Sequence, residues 1–343
     1  MQITGFKDSS FSLRYLGVPI TAGRLTKNEC TKLVEKILAG VRIWATKSLS
    51  FAGRARLISS VIFGMYACWA TIFILPNTGL DKITQICRNY LWSGSKDAKR
   101  KPHISWVTTC LSKSQGGLGI KDFGTRNKAL IAKLVKWIHG KYLKSNSWWS
   151  YHPPKDCSWY KRKICFIKEL FKEGSTSPPH WNWLGKPEYT VSIGYKWLMG
   201  DQRKVTWARI PWTRTVILRH GFIVWVLLQH RLPTKAKLSK YITDMDTLCP
   251  LCHQAIEEDS HLFYDCEYAK EIWGGHKPLV GLPGEYTGVY YIWRARNVAL
   301  FKQTQWATPS VVKEIKEQIK TRILFLHSIS ARYSLYIDRL LSI

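Results

Sequence analysis

Cys249, Cys252, His261 and Cys266 fall within one short stretch, CPLCHQAIEEDSHLFYDC, with the spacing Cys-x2-Cys-x8-His-x4-Cys. A CxxC pair chelates from one tight turn, and a spaced His and Cys bring two further soft or borderline donors, enough to close a zinc tetrahedron. With every ligand supplied by protein there is no open position for water or substrate, so the expected role is structural. Three thiolates and a neutral imidazole around a dication sum to about −1. Lys235, Lys237 and Lys240, near in sequence, are expected to offset that charge, and Glu257, Glu258 and Asp259 to be solvated. The bland alternative is unligated cysteines. The spacing is not that of a ββα finger, so reading of a DNA groove by a finger helix is not implied.

The chain has nine cysteines, an odd number, and MQITGFKDSSFSLRYLG shows no basic segment followed by an apolar core. Reduced thiols in an intracellular protein are therefore expected, the nucleus being one candidate compartment, and clustered cysteines then favour a metal over disulfides. Cys30, Cys68, Cys87, Cys110, Cys157 and Cys165 are scattered and read as small apolar side chains.

Lys and Arg outnumber Asp and Glu by 52 to 23, for a formal net charge of +29 over 343 residues. Such an excess favours a polyanionic partner over a generally basic surface. Seventeen Trp and sixteen Tyr are interleaved with these cations, a composition that suits base stacking beside phosphate contacts, although most rings should be core. SQGGLGIKDF, residues 114–123, is glycine-rich, but no GK[ST] follows, and a turn is the expectation. Leu57 to Leu75 carries no charge and is long enough to cross a bilayer. Ser59, Ser60, Gly64, Cys68 and Thr71 dilute it, so a buried core helix and no membrane partner are expected.

These residues need elements to hold them, and the periodicity is helical. Residues 26–44 place Cys30, Leu33, Val34, Ile37, Leu38 and Val41 on one face, with Thr26 and Glu29 as a capping box. Ser50 is expected to cap a helix running to about Ile74, where Pro76 ends it, and Asp81 to Trp92 forms a third. SKDAKRKP, residues 95–102, reads as a basic loop; Asn127 to Lys141 and SWYKRKICFIKELFK read as helices. YTVSIGYKWLMG alternates before a short helix, Thr213 to Leu228 is a strongly apolar helix, and RLPTKAKLSKYI starts a helix at its proline. The expected class is mainly α: a helical bundle and a small zinc-stabilised α module.

HRLPTKAKLSKYITDMDTLCPLCHQAIEEDSHLFYDCEYAKEIW resembles the zinc-binding domain that follows the polymerase in plant LINE-type, non-LTR reverse transcriptases. RYLGVPI, KSLSFAGRARLISSVIFGMYACWATIFILP, ICRNYLWSG and GGLGIKDFGTRNKALIAKLVKWI resemble that family's thumb and connector, and YYIWRARNVALF the segment after the zinc site. The resemblance spans residues 11 to 301, with the stretch from Trp273 to Tyr290 shorter than the family pattern. It implies a thumb-like bundle over 1–94, a basic helical connector over 95–187, the zinc-binding domain over 188–274 and a helical tail over 275–343.

The resemblance makes Cys249, Cys252, His261 and Cys266 the ligands of a structural zinc. It brings Lys47, Arg54 and Arg56 near a template-primer backbone, contacts that position without reading sequence. Lys161, Arg162 and Lys163 of the connector join them as phosphate-binding candidates, with a solvated helix face as the alternative. Polymerases need palm carboxylates to hold two metal ions. No Asp-Asp pair occurs in this chain, the family's [YF]xDD strand would lie upstream of Met1, and no four-carboxylate set suggests ribonuclease H. A noncatalytic part that binds RNA or an RNA–DNA hybrid is expected. The competing expectation is a domesticated or decayed remnant, either docking another protein through its tryptophans or without a function of its own.

Overall fold

Helix is what the caps and apolar stripes dictate, and helix dominates the computed structural model. It describes residues 14–15, 17–19, 24–94, 102–138, 151–171, 175–176, 182–183, 189–201, 203–275 and 284–330. Residues 95–101 of the expected basic loop and Lys141 lie outside the described residues. Strands among them are confined to two antiparallel pairs, β1 (Arg14–Tyr15) with β2 (Val18–Pro19) and β3 (Ser175–Thr176) with β4 (Asn182–Trp183). The fold is mainly α.

The chain divides into two compact units. The first comprises Met1–Leu49, Arg54–Arg100 and Gly119–Arg203. Its α1, Lys27–Ala45, starts at the capping box: the Glu29 amide donates to Thr26 Oγ1 at 3.2 Å and the Thr26 amide to Glu29 Oε2 at 2.8 Å. Cys30, Leu33, Val34, Ile37 and Val41 are buried, the stripe that the periodicity predicts. α1 packs on α4, Asn77–Ser93, so closely that a Cβ on Gly79 would lie 2.2 Å from Cys30 Sγ. α4 ends at Gly94, whose φ of 74° is the left-handed cap that glycine adopts without a Cβ penalty.

The helix expected from Ser50 to Ile74 runs instead as α2 (Phe51–Leu57), a π turn (Ile58–Ile62) and α3 (Phe63–Ala70). It stops short because a buried amide takes over its end. Asn127 Nδ2 donates to the carbonyls of Ala70 and Phe73 at 2.9 and 2.8 Å, and the Leu75 amide donates to Asn127 Oδ1 at 2.9 Å. Asn127 belongs to α6, Phe123–Ile138, which begins before the expected Asn127 and buries Phe123, Ala129, Ile131 and Ala132. α7, Trp159–Glu169, and α8, Val191–Met199, pack on α6. The alternation read in YTVSIGYKWLMG is overruled: the Thr190 hydroxyl accepts from the Ile193 amide at 3.2 Å and starts helix at Val191. Tyr189 is drawn inward by a hydrogen bond to the Ala129 carbonyl, 2.6 Å.

The second unit comprises Ser50–Gly53, Lys101–Leu118 and Lys204–Ile343. Here α5 (Trp106–Cys110) leads to the glycine-rich stretch, which is a turn: the Gly116 carbonyl accepts from Trp225 Nε1 and Gln229 Nε2, both at 2.7 Å. α9 spans Leu218–Leu228, not Thr213 to Leu228, because Arg322 holds the carbonyls of Arg214 and Thr215 at 2.6 and 3.3 Å. A 3₁₀ stretch, Thr206–Trp212, precedes it. The remaining helices are α10 (Lys235–Leu238), α11 (Glu267–Gly275), α12 (Gly284–Lys302) and α13 (Thr308–Ile329). α12 packs against α9 and α13, and α13 buries Val311, Ile315, Ile319, Ile323 and Leu326. No helix among the described residues is long and apolar enough to cross a membrane.

Candidate metal centre

Two local structures bring the four donors together. The first is a small hairpin closed by an antiparallel bridge between Leu248 and Ile256, in which the Cys249 amide donates to the Ala255 carbonyl at 2.8 Å. His253, with φ of 55°, turns the chain back immediately after Cys252. The second is a π turn, His261–Asp265, which delivers His261 from its first residue and ends at Cys266, the residue before α11. Hairpin and helix start are short, so residues far apart in the spacing converge.

The three Sγ atoms and one imidazole nitrogen all lie within 4.8 Å of one another. Cys249 Sγ and Cys266 Sγ are 4.0 Å apart, and Cys252 Sγ is 3.2 Å from His261 Nε2. Bonds of ~2.3 Å to sulfur and ~2.0–2.1 Å to nitrogen separate tetrahedral donors by about 3.5–3.8 Å, so this set fits zinc. Cys249 and Cys266 are fully buried, with Cys252 and His261 partly accessible. The backbone amides of Leu251 and Cys252 are directed at Cys249 Sγ and that of Ala269 at Cys266 Sγ, as suits thiolates. The hydrogen bond between the two sulfurs holds the Cys266 thiol below its usual range and pushes that of Cys249 up. Metal binding requires both as thiolates, so a dication bound here would displace their protons.

The shell around the donors differs from expectation in its charges. Glu257, expected in solvent, is 0% exposed. It accepts from Arg296 Nε at 2.6 Å and Nη2 at 2.9 Å, and from the Lys235 amide at 2.9 Å. Burial of the hairpin against α12 forces this, since a carboxylate removed from water needs a partner. Lys235 and Lys237, expected to offset the zinc charge, are engaged elsewhere: Lys235 Nζ meets Asp246 at 2.7 Å and Lys237 Nζ meets Asp259 at 2.5 Å. Lys240 is exposed, as is Glu258. Further bonds tie the module to the end of α12 and the start of α13, from Gln305 Nε2 to the Leu251 carbonyl (2.9 Å) and from Tyr268 Oη to the Trp306 carbonyl (2.8 Å).

Residues 189–273 match the family model described as zinc-binding in reverse transcriptase. The centre thus lies in a reverse transcriptase zinc-binding domain. Cys249, Cys252, His261 and Cys266 would hold its zinc, and all four lie within the matched residues. An Arabidopsis thaliana protein named provisionally as a ribonuclease H protein is 27% identical over 195 residues, 57% of this chain and 31% of its own length. An uncharacterized mitochondrial protein of the same plant is 34% identical over 62 residues, 18% of this chain and 40% of its own. The chain spans less than half the length of either relative.

The phosphate-binding candidates lie in three places in the first unit: just after α1, on α2 and on α7. Lys47 and Arg56 are exposed, after α1 and on α2. Arg54 is half-buried and donates from Nη1 to the Leu91 carbonyl at 3.3 Å, so it also fastens α4. On α7, Lys161 lies over the Tyr151 ring, 5.4 Å from its centroid, and Arg162 donates to the Lys155 carbonyl at 2.9 Å. Lys163 lies 5.4 Å from the centroid of the exposed Phe166 ring. Arg296 was missed from sequence; the one available signal was the arginine pair in YYIWRARNVALF, opposite in charge to the acidic run between the ligands.

Proposed function

We propose that the chain is a noncatalytic, nucleic-acid-binding part of a LINE-type reverse transcriptase, with RNA or an RNA–DNA hybrid as its partner. What supports this most is the coincidence of a closed Cys3His centre, inside a domain matched to reverse transcriptase, with a net charge of +29. Zinc in this reading takes part in no reaction. It cross-links the hairpin and α11, two elements too small to hold together on apolar burial alone. The ribonuclease H name of one relative is not carried over, because that chemistry needs carboxylates clustered around metal ions. Such a protein would act inside the cell, the nucleus being its candidate compartment.

Backbone recognition makes a quantitative demand on salt. Roughly six to ten phosphate contacts cost about 10³–10⁵-fold in affinity between ~50 and ~200 mM salt. Filter binding of RNA by the zinc-loaded chain should show a fall of that order. Replacing Lys47, Arg56 and Lys163 by alanine should flatten the log–log slope by about 0.7–0.9 for each phosphate that is no longer neutralised. An affinity that salt leaves unmoved points to aromatic docking on a protein instead and overturns the reading.

A further inference from the structure

Within the second unit a groove of about 410 Å³ opens between α9 and α12, edged by Ser50 and Phe51. Its volume is that of a small-ligand pocket, which runs roughly 300–1,000 Å³. Phe51 stacks on Phe222 with centroids 5.2 Å apart and planes 6° from parallel. Trp293 contributes to the lining, and Phe301 stands at the end of α12 with 76% of its surface exposed. Three cations share the same lining, Arg219, Arg294 and Lys302, and no carboxylate does.

Two of these cations are held in position. Arg219 lies 5.5 Å from the centroid of Tyr290, a ring that also stacks on His220 at 4.1 Å, and donates to Gln318 at 2.8 Å. Arg294 sits 4.6 Å from the Trp306 centroid and 3.4 Å from Glu314, an exposed pair that solvent screens. Lys302 is exposed. An apolar ligand would leave these charges unused, and a simple anion would leave the rings unused. A planar ring carrying a phosphate uses both.

We propose that this groove takes an unpaired nucleotide of a single strand, its base against Phe51 and Phe301 and its phosphate toward Arg219 and Lys302. The inference rests on the nucleic-acid reading above and locates part of it in the second unit. A duplex buries its bases in its own stack, so the groove discriminates in favour of single strands.

The test is fluorescence anisotropy of the full zinc-loaded chain with labelled oligouridylate and with a blunt RNA duplex, at one salt concentration. Loss of one base–aromatic stack corresponds to a rise in Kd of about 5–150-fold. Phe301→Ala should raise the Kd for oligouridylate by that factor and leave the duplex unchanged, and Phe301→Trp should restore it. Phe301 is exposed, so zinc content and circular dichroism should match wild type and exclude misfolding. Unaltered oligouridylate binding by Phe301→Ala, or equal weakening for both ligands, overturns the groove while the nucleic-acid reading stands. A wild-type chain that binds neither ligand removes both.

Discussion

Glu257 sits between the second and third metal ligands, yet it faces α12 and not solvent, because Arg296 meets both of its oxygens. Arg296 in turn is 2% exposed, lies 4.8 Å from the Trp293 centroid and donates to the Pro233 carbonyl at 3.2 Å. Breaking such a pair from one side leaves a buried charge alone, at a cost of about 3–5 kcal/mol. Arg296→Met should therefore lower unfolding stability by that amount in urea titrations of the zinc-bound chain. Adding Glu257→Gln in the same background should recover much of the loss, since the amide oxygen still accepts from the Lys235 backbone. A double variant as unstable as the single would mean that packing, not the stranded carboxylate, sets the cost. The ligands themselves make a simpler demand: Cys249→Ser with Cys252→Ser should abolish stoichiometric zinc by elemental analysis, and an unchanged zinc content would remove the site.

Two helix boundaries, the end of α3 and the start of α9, are decided by side chains that arrive from elsewhere in the same unit, and Asn127 is the sharper case. It satisfies three buried backbone groups at and just after the end of α3, each worth about 1–3 kcal/mol if left unpaired, so Asn127→Ala should cost more than about 2 kcal/mol. Its measurement is the same urea titration. His220 of α9 is 0% exposed, with Nδ1 3.2 Å from Thr287 Oγ1, and burial together with Arg219 pushes its pKa from 6.5 down to about 3. The unfolded chain therefore binds the proton first as pH falls, and stability is lost progressively below about 6.5. Between about pH 7.5 and 5.5 that amounts to about 1.4 kcal/mol, and His220→Phe should flatten this part of the profile whatever its offset. An unchanged slope would show that other groups carry it. Local signals made α1 legible, since cap and stripe both lie within its own residues. They also made the Cys3His set legible, since spacing alone states it. What stayed hidden were long-range partners: Asn127 cutting off α3, Arg322 delaying α9, and Arg296 claiming Glu257.

At the scale of the whole molecule, a chain with 52 cations against 23 acids repels itself when compact, and its acids are accordingly used with care. Asp246, Glu257 and Asp259 all lie close to the metal centre in sequence and all are paired, with Lys235, Arg296 and Lys237. The centre is thus the knot of the second unit: the hairpin, α11 and the junction of α12 with α13 meet there through Glu257, Gln305 and Tyr268. Removing zinc leaves three thiols and an imidazole to repack with no ion to hold them, so the order of these elements depends on the free energy of metal binding. Chelation followed by hydrogen exchange, read by mass spectrometry, measures that dependence segment by segment. Amides of residues 247–275 should lose protection first, and those of α12 near Arg296 and Gln305 should come next, because their side chains are anchored in the module. α1, α4 and α6 lie in the first unit, where Cys30, Ile83 and Ile131 are buried, and their amides should exchange as before. Equal loss of protection in both units would mean that the metal sustains the whole chain rather than one knot within it.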